Sequence, residues 1–214
     1  MTVIDCRDPG SWGAALDEAV HALGRGALVV LPTGTAYGVA ADAFSPTAVD
    51  ALAAAKGRGR VAPPVLVPDA RTVDGLCTDV PDEVRALLAQ EWPGPLTLVL
   101  RAQPSLAWDL APDGTVAVRS PDHPAALALL RRTGPLAVTG AHRAGGAPAT
   151  TVEQAREQLG DAVHVYLDAG PLDGGERSTV VDATVTPARV LRPGAVPADR
   201  LATVLDAATG EGDA

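Results

Sequence analysis

The chain of 214 residues has the usual length of one domain, and hydrophobic residues make up 47% of it, which is enough for a substantial core. The formal net charge of -9 disfavours a broad electrostatic surface for DNA. Cys6 and Cys77 are far apart and form no CxxC pair, which argues against a zinc site and against a disulfide framework. The N-terminus lacks an apolar leader and no stretch reaches the length of a membrane span, so we expect a cytoplasmic protein that does not bind a membrane.

The first predicted elements are an amphipathic helix and a buried strand. Apolar residues recur at three- and four-residue spacing between Ser11 and Leu23, and Gly24 with Gly26 supplies a helix stop. The apolar residues 27–31 then run together until Pro32, a pattern that is typical of a strand buried on both faces.

Strands and helices alternate along the rest of the chain. Ser45 is a predicted N-cap, and the helix that it begins continues to Lys56. Further strands are predicted at 65–67, 96–100, 116–119, 136–139, 163–167 and 179–182, and further helices at 81–90, after Pro124, at 151–159 and at 199–207. No obvious helix separates the strands at 96–100 and 116–119, so we expect antiparallel pairing there and a mixed sheet. The prediction is one α/β domain over residues 1–209, with residues 210–214 as a disordered tail.

Four turns carry polar residues, and open α/β sheets place their ligand sites in turns after strands. They are PTGTAYG from Pro32, KGRGR from Lys56, TGAHRAGG from Thr139 and GGERSTVVD from Gly174, with RPG from Arg192 shortly beyond. The second turn spaces cations with glycines, which favours a grip on polyphosphate, although cations at a helix C-terminus also stabilise the helix dipole without a ligand. No GxxxxGK[ST] motif occurs, so the chain has no P-loop. Ser178 opens a predicted strand and Arg192 ends one, so we expect both side chains at one rim.

Together these stretches resemble the YrdC/TsaC family, the L-threonylcarbamoyladenylate synthases. The chain reads PTGTAYGVAADA from Pro32, KGRGR from Lys56, WPGPLTLVL from Trp92, VAVRSPDHP from Val116, GAH from Gly140, STVVD from Ser178 and RVLRPG from Arg189. Each motif alone is weak evidence, whereas all of them in register over nearly the whole chain are highly specific. The resemblance implies an open, twisted, mixed sheet that is flanked by helices and has a concave basic cavity.

The resemblance also implies a reaction in which L-threonine, bicarbonate and ATP, with Mg²⁺, form threonylcarbamoyl-AMP and pyrophosphate for tRNA modification by partner proteins. By position, the expected ATP contacts are Lys56, Arg58, Thr115, Gly140, His142 and Arg192, and the expected substrate contacts are Thr35, Tyr37, Arg119 and Ser178. Lys56 and Arg58 are the expected catalytic residues, because cations stabilise charge on the phosphates during in-line attack without a covalent nucleophile. No metal-ligating residue is predicted.

The sequence departs from the family pattern at the proposed site. The family's SxN loop supplies a hydroxyl and an amide, but the corresponding residues are Gly140 and His142. Gly34 stands where the family has an acidic residue, and Ala62 stands near the basic or amide residue that follows KxR. Two interpretations stay open. Either the chain retains threonylcarbamoyl-adenylate synthesis with His142 as the substitute, or it is a paralogue that activates another carbamoylated amine or has lost the activity.

Two other classes of function stay open. A concave basic cavity can bind structured RNA such as tRNA without catalysis, although the net charge disfavours this function. A hydrolase would use Ser178, His142 and Asp182, although the chain has no GxSxG elbow. Longer relatives carry an additional C-terminal domain, so we expect any lid of this chain to come from its own loops.

Overall fold

The computed structural model describes residues 1–57, 59, 62–106, 108, 110 and 113–203. Its strands are β1 (Thr2–Asp5), β2 (Val29–Pro32), β3 (Tyr37–Asp42), β4 (Val65–Leu66), β5 (Cys77–Thr78), β6 (Leu96–Ala102), β7 (Thr115–Arg119), β8 (Leu136–Gly140), β9 (Val165–Asp168), β10 (Thr179–Asp182) and β11 (Arg189–Arg192). Its helices are α1 (Trp12–Gly24), α2 (Pro46–Ala55), α3 (Val73–Leu76), α4 (Asp82–Glu91), α5 (Pro124–Thr133) and α6 (Val152–Leu159), and residues 198–203 are also helical.

The strands of the described residues form one mixed sheet with the order β1-β9-β2-β3-β8-β4-β7-β6-β10-β11, and β5 pairs with β6. Neighbouring strands run parallel at β1/β9, β2/β9, β4/β7 and β6/β10, and antiparallel at the other junctions. The predicted antiparallel pairing of the strands around residues 96 and 116 is the pairing of β6 with β7. The predicted α/β class with an open mixed sheet is therefore confirmed.

Two apolar cores lie on opposite faces of the sheet, because alternate residues of a strand point to opposite sides. One core packs Leu16 of α1 and Leu129 of α5 against Val29 of β2. The other core contains Leu52 of α2 and Val30 of β2. All residues of β2 are buried, so this strand is covered on both faces, as its apolar run predicts.

Side-chain caps fix where two of the helices begin. Ser45 Oγ accepts a hydrogen bond from the Ala48 N–H at the start of α2, as predicted. Thr151 Oγ1 likewise accepts from the Gln154 N–H at the start of α6. Helix α2 ends at Ala55, so Lys56 is its C-cap residue. The Lys56 side chain is buried in the protein.

One face of the sheet stays partly open where β7, β6, β10 and β11 lie side by side. Along β7, Val116 and Val118 are buried, whereas Thr115, Ala117 and Arg119 are partly exposed. Residues that pair directly across neighbouring strands share a face of the sheet. The register extends this open face from β7 through Val99, Thr97 and Val180 to Arg192.

The described residues contain three strands that the sequence patterns did not predict, and the two-residue strand β5, which pairs with β6, is one of them. The N-terminal strand β1 pairs in parallel with β9 at one edge of the sheet. Strand β3 begins at Tyr37, inside the segment that was predicted as a turn, so only residues 33–36 connect β2 to β3.

The C-terminal predictions are met only in part by the described residues. The last predicted helix, 199–207, starts at residue 198 and is described as far as residue 203. The predicted end of the domain at 209 and the predicted tail at 210–214 lie outside the described residues. No helix in the described part of the chain combines the length and the apolar character that a membrane crossing requires.

Candidate functional site

Arg119, the last residue of β7, connects two turns at the edge of the open face. Its Nε donates a hydrogen bond to Gly94 O at 2.9 Å, and its Nη2 donates to Thr33 O at 3.1 Å. Gly34 lies beside the same guanidinium with a φ of 127°, a conformation that residues with side chains rarely adopt. Arg119 therefore holds the turn before β3 and the turn before β6 around one cationic group.

Arg192 and Ser178 meet on the open face, as their positions at strand ends predict. Arg192 Nη2 donates to Ser178 O at 2.7 Å and to Ser178 Oγ at 3.1 Å. Ser178 Oγ also forms a hydrogen bond of 2.9 Å with Thr97 Oγ1. Gly194 permits this approach, because a Cβ at that position would lie 2.3 Å from Arg177 O. The open face therefore carries a connected cluster of two hydroxyls and a guanidinium.

The positive charges of three arginines interact around the open face, and these residues are Arg119, Arg177 and Arg192. Burial lowers the pKa of Arg119 to about 10; the charge of Asp122 opposes this shift and the charge of Arg192 adds to it. Burial and the charge of Arg177 lower the pKa of Arg192. None of the three arginines forms an ion pair with a carboxylate among the described residues. A bound carboxylate or phosphate would offset their mutual repulsion, so the open face suits an anionic ligand.

Lys56 is buried at the end of α2, with only 3% of its surface exposed. Its Nζ donates hydrogen bonds to Gly140 O and to His142 O. Its own carbonyl accepts from the Ala144 N–H at 2.9 Å. A buried ammonium requires such oxygen partners. Lys56 therefore clamps the loop after β8 to the end of α2.

Backbone contacts join the loop after β8 to the other predicted turns. The Ala141 N–H donates to Tyr37 O at 2.9 Å, next to the pairing of β3 with β8. On the other side, the Gly174 N–H donates to Thr35 O at 3.1 Å. Since Lys56 holds the same loop, hydrogen bonds link all four turns that the sequence singled out, and the first turn contributes Thr35 and Tyr37 to these links.

The side chain of Tyr37, an expected substrate contact, is held inside the protein. The residue is 1% exposed, and its hydroxyl donates to Gly170 O at 2.7 Å and accepts from the Ala169 N–H at 2.9 Å. Burial raises the pKa of the Tyr37 phenol well above its ordinary value. Because the backbone after β9 uses the hydroxyl both as donor and as acceptor, the Tyr37 side chain anchors β3 and is not available to a substrate.

The remaining predicted residues lie at different positions around the open face. Thr35 is exposed in the connection between β2 and β3. Thr115 and Arg119 begin and end β7, so they lie about 13 Å apart along the strand. Thr115 Oγ1 donates to Asp113 Oδ1 at 2.8 Å. Arg58, which was expected to bind ATP and to act in catalysis, lies outside the described residues.

Thr97 and Gly94 contribute to the site, although the sequence patterns did not single them out. Thr97 is a buried polar residue between two leucines. A polar residue within an apolar strand requires a hydrogen-bond partner when it is buried. The position of Thr97 between Leu96 and Leu98 is therefore the signal that the sequence contains. The Gly94 carbonyl has no such signal, because every residue carries a backbone oxygen.

The hydrolase alternative fails on the geometry of β10. Ser178 immediately precedes this strand and Asp182 ends it, so their Cα atoms are about 13 Å apart. The Asp182 carboxylate accepts from Thr184 Oγ1 at 2.6 Å and from Arg189 Nε at 3.2 Å. One imidazole ring cannot bridge that separation, so Ser178, His142 and Asp182 do not form a catalytic triad.

A protein-bound metal ion does not fit the described residues. They contain no cluster of three or more His, Cys, Asp or Glu side chains that would hold a metal. Mg²⁺ binds to carboxylates together with substrate phosphates, whereas the open face offers arginines and hydroxyls.

Sequence comparisons place the chain among known proteins. The Sua5/YciO/YrdC family model, described as telomere recombination, matches residues 21–194. A Mycobacterium tuberculosis protein named "Putative threonylcarbamoyl-AMP synthase" is 51% identical over 203 residues, which cover 94% of each chain. The threonylcarbamoyl-AMP synthase of Bacillus subtilis is 33% identical over 192 residues, which cover 88% of this chain and 56% of that protein.

Solved structures share the fold. Pyrococcus abyssi Sua5 in complex with L-threonine matches 95% of this chain with a TM-score of 0.88 and 31% identity, and this chain spans 61% of that longer protein. Escherichia coli YciO has the same fold, with a TM-score of 0.82 at 21% identity. Because the family model covers most of the sequence and relatives align over nearly its whole length, the chain belongs to the Sua5/YciO/YrdC family.

Proposed function

We propose that this chain is an L-threonylcarbamoyladenylate synthase, which uses ATP, bicarbonate and L-threonine to form threonylcarbamoyl-AMP and pyrophosphate. The observation that carries the proposal is that Arg192 is hydrogen-bonded to Ser178 and acts electrostatically on Arg119, so that two cations and a hydroxyl are offered to anionic ligands in a chain of net charge -9. The threonine complex of the P. abyssi relative supports an amino-acid ligand. The product would serve tRNA modification by partner proteins.

Threonine binds at the edge of the open face with its carboxylate on Arg119. A guanidinium donates two parallel hydrogen bonds to a carboxylate, which fixes the orientation of the amino acid. The carbonyls of Gly94 and Thr33 hold the guanidinium in advance, so little freedom is lost on binding. The hydroxyls of Thr35 and Ser178 complete the amino-acid site.

The nucleotide occupies the rest of the open face and the loop after β8. Its contacts are Lys56, Arg58, Thr115, Gly140 and Arg192, and His142 lies in the same loop as Gly140. Val99 and Ala117, which pair across β6 and β7, provide a small apolar floor between them. Mg²⁺ enters with ATP as part of the substrate.

The reaction requires no covalent nucleophile. The threonine amine attacks the carbon of bicarbonate to form a carbamate with loss of water, and a carbamate oxygen then attacks the α-phosphorus of ATP as pyrophosphate leaves. Lys56, Arg58 and Arg192 stabilise the charge on the phosphates. Catalysis therefore consists of positioning and electrostatic stabilisation.

Pyrophosphate release tests the proposed function. The protein, supplied with ATP, MgCl₂, bicarbonate and L-threonine, should release pyrophosphate only when both threonine and bicarbonate are present. Omission of each component in turn provides the controls. Release that requires a different amine and ignores threonine would assign the chain to the paralogue alternative, and no release with any amine would show that the activity is lost.

A further inference from the structure

Gly140 and His142 pack as one unit in the loop after β8. A Cβ at Gly140 would lie 2.3 Å from Cε1 and 2.7 Å from Nδ1 of His142, so the imidazole occupies the space that any side chain at position 140 would need. The His142 N–H donates to Gly140 O at 2.8 Å, which closes a tight turn. Gly140 is not among the glycines with positive φ, so space and not backbone conformation requires glycine here.

The same turn supplies the oxygens that hold Lys56. Lys56 Nζ donates to the carbonyls of Gly140 and His142, and the Lys56 carbonyl accepts from the Ala144 N–H. Because Lys56 is buried, these carbonyls set the direction of its ammonium group. A change in the turn would therefore move that ammonium.

We propose that His142 is a positioning residue whose imidazole packs on Gly140, fixes the tight turn and thereby sets the position of the Lys56 ammonium at the nucleotide. The nucleotide part of this inference rests on the proposed function, whereas the packing of the ring on Gly140 does not. The inference makes positions 140 and 142 interdependent. A side chain at 140 is compatible with a small residue at 142, but not with the imidazole in its present place.

A double-mutant cycle of Gly140→Ala and His142→Ala measures this interdependence. With His142 present, Gly140→Ala should raise the Kd for MgATP about tenfold, whereas in the His142→Ala protein the same change should alter it less than about twofold. Titration calorimetry with MgATP measures all four proteins and needs no synthase activity. Equal effects of Gly140→Ala in both backgrounds would overturn the proposal.

Nuclear magnetic resonance follows the ring itself. The Hε1 signal of His142, one of 4 histidines in the chain, is assigned by its loss in the His142→Ala protein. Gly140→Ala should shift this signal and leave those of His21, His123 and His164 in place. An unshifted His142 signal would show that the ring does not pack on Gly140. A protein that makes no threonylcarbamoyl-AMP would still show the shift, so this result separates the inference from the proposed function.

Kinetic constants separate positioning from direct contact with the nucleotide. His142→Ala should raise the KM for ATP about tenfold and change the KM for threonine less than about twofold, because Arg119 and Ser178 belong to other turns. His142→Phe keeps a planar ring over Gly140, so its KM for ATP should stay within about threefold of the unsubstituted enzyme. A Phe variant as impaired as the Ala variant would contradict a positioning role.

Discussion

Arg119 is the residue on which the proposed amino-acid site depends most, because two carbonyls hold its guanidinium and the positive charge of Arg192 lies nearby. Arg119→Lys keeps the charge but loses the fork that spans Gly94 O and Thr33 O. We expect the KM for threonine to rise about tenfold or more, with a smaller effect on the KM for ATP. Steady-state pyrophosphate release measures both constants.

Arg131→Lys is the matched control for this change. Arg131 is exposed on α5, away from the turns that Arg119 joins, so its replacement should leave both KM values unchanged. An Arg119→Lys enzyme with the unsubstituted KM for threonine would remove Arg119 from the amino-acid site.

Tyr37 is expected to matter for stability and not for substrate binding. Tyr37→Phe removes a hydroxyl that serves Gly170 O and the Ala169 N–H, so the free energy of unfolding should fall by about 1–3 kcal/mol. Urea denaturation measures this loss, and the KM for threonine should not change. Tyr166→Phe is the control, because the Tyr166 hydroxyl donates only to Gly160 O, at 2.8 Å, and its loss should cost less. Normal stability with a raised KM for threonine would return Tyr37 to the substrate site.

At the scale of elements, the sequence predicts a segment well when the signal is local. The predicted start of α2 is observed because Ser45 caps the helix through its own neighbours. Strand β3 was not predicted, because its sequence YGVAAD is poor in β-branched residues. It contains one glycine, two alanines and one aspartate, which are all less common in strands. Its strand conformation comes from pairing with β2 on one side and β8 on the other. Gly38 is required there, since a Cβ would lie 2.8 Å from Val138 Cγ1.

Gly194, which follows β11, lies against the backbone at Ser178, so its replacement tests the contact between Arg192 and Ser178. In Gly194→Ala, the new Cβ would meet Arg177 O at 2.3 Å and the Ser178 carbonyl carbon at 2.7 Å, and both are backbone atoms that cannot rotate away. We expect the free energy of unfolding to fall by about 1–3 kcal/mol and the KM values to rise as Arg192 moves from Ser178. Urea denaturation and pyrophosphate release measure the two effects.

Gly13→Ala in α1 is the control for Gly194→Ala. Apart from its chain neighbours and the backbone of its own helix, no described atom lies within 4 Å of a Cβ at position 13, so the substitution should stabilise the helix by about 0.5–1 kcal/mol and leave the kinetics unchanged. Similar stability changes in the Gly13 and Gly194 variants would contradict the close packing of Gly194 on Ser178.

At the scale of the whole molecule, the sequence indicated which polar residues lie near one another but not how deeply they are buried. The positions of Ser178 and Arg192 at the ends of predicted strands indicated that they share a rim, and hydrogen bonds join them. The burial of Lys56 and Tyr37 could not be predicted, because it depends on strands and loops that are far away in the sequence. Local patterns carry turn and cap chemistry, whereas burial is decided by tertiary packing.

The net charge of the molecule makes tRNA a poor direct ligand. A charge of -9 repels a polyanion, and the arginines around the open face are few. We expect filter binding at physiological salt to detect no retention of tRNA, with or without ATP. Retention that weakens steeply as salt increases, in a protein without ATP turnover, would support the RNA-binding alternative instead.

Mass spectrometry of the products formed from isotopically labelled bicarbonate, ATP, MgCl₂ and L-threonine is the most direct test of the proposed synthase activity. We predict an adenylate with the mass of threonylcarbamoyl-AMP that carries the label and forms only when L-threonine is present. An adenylate without the label, or ATP that is recovered unchanged from every mixture, would contradict it.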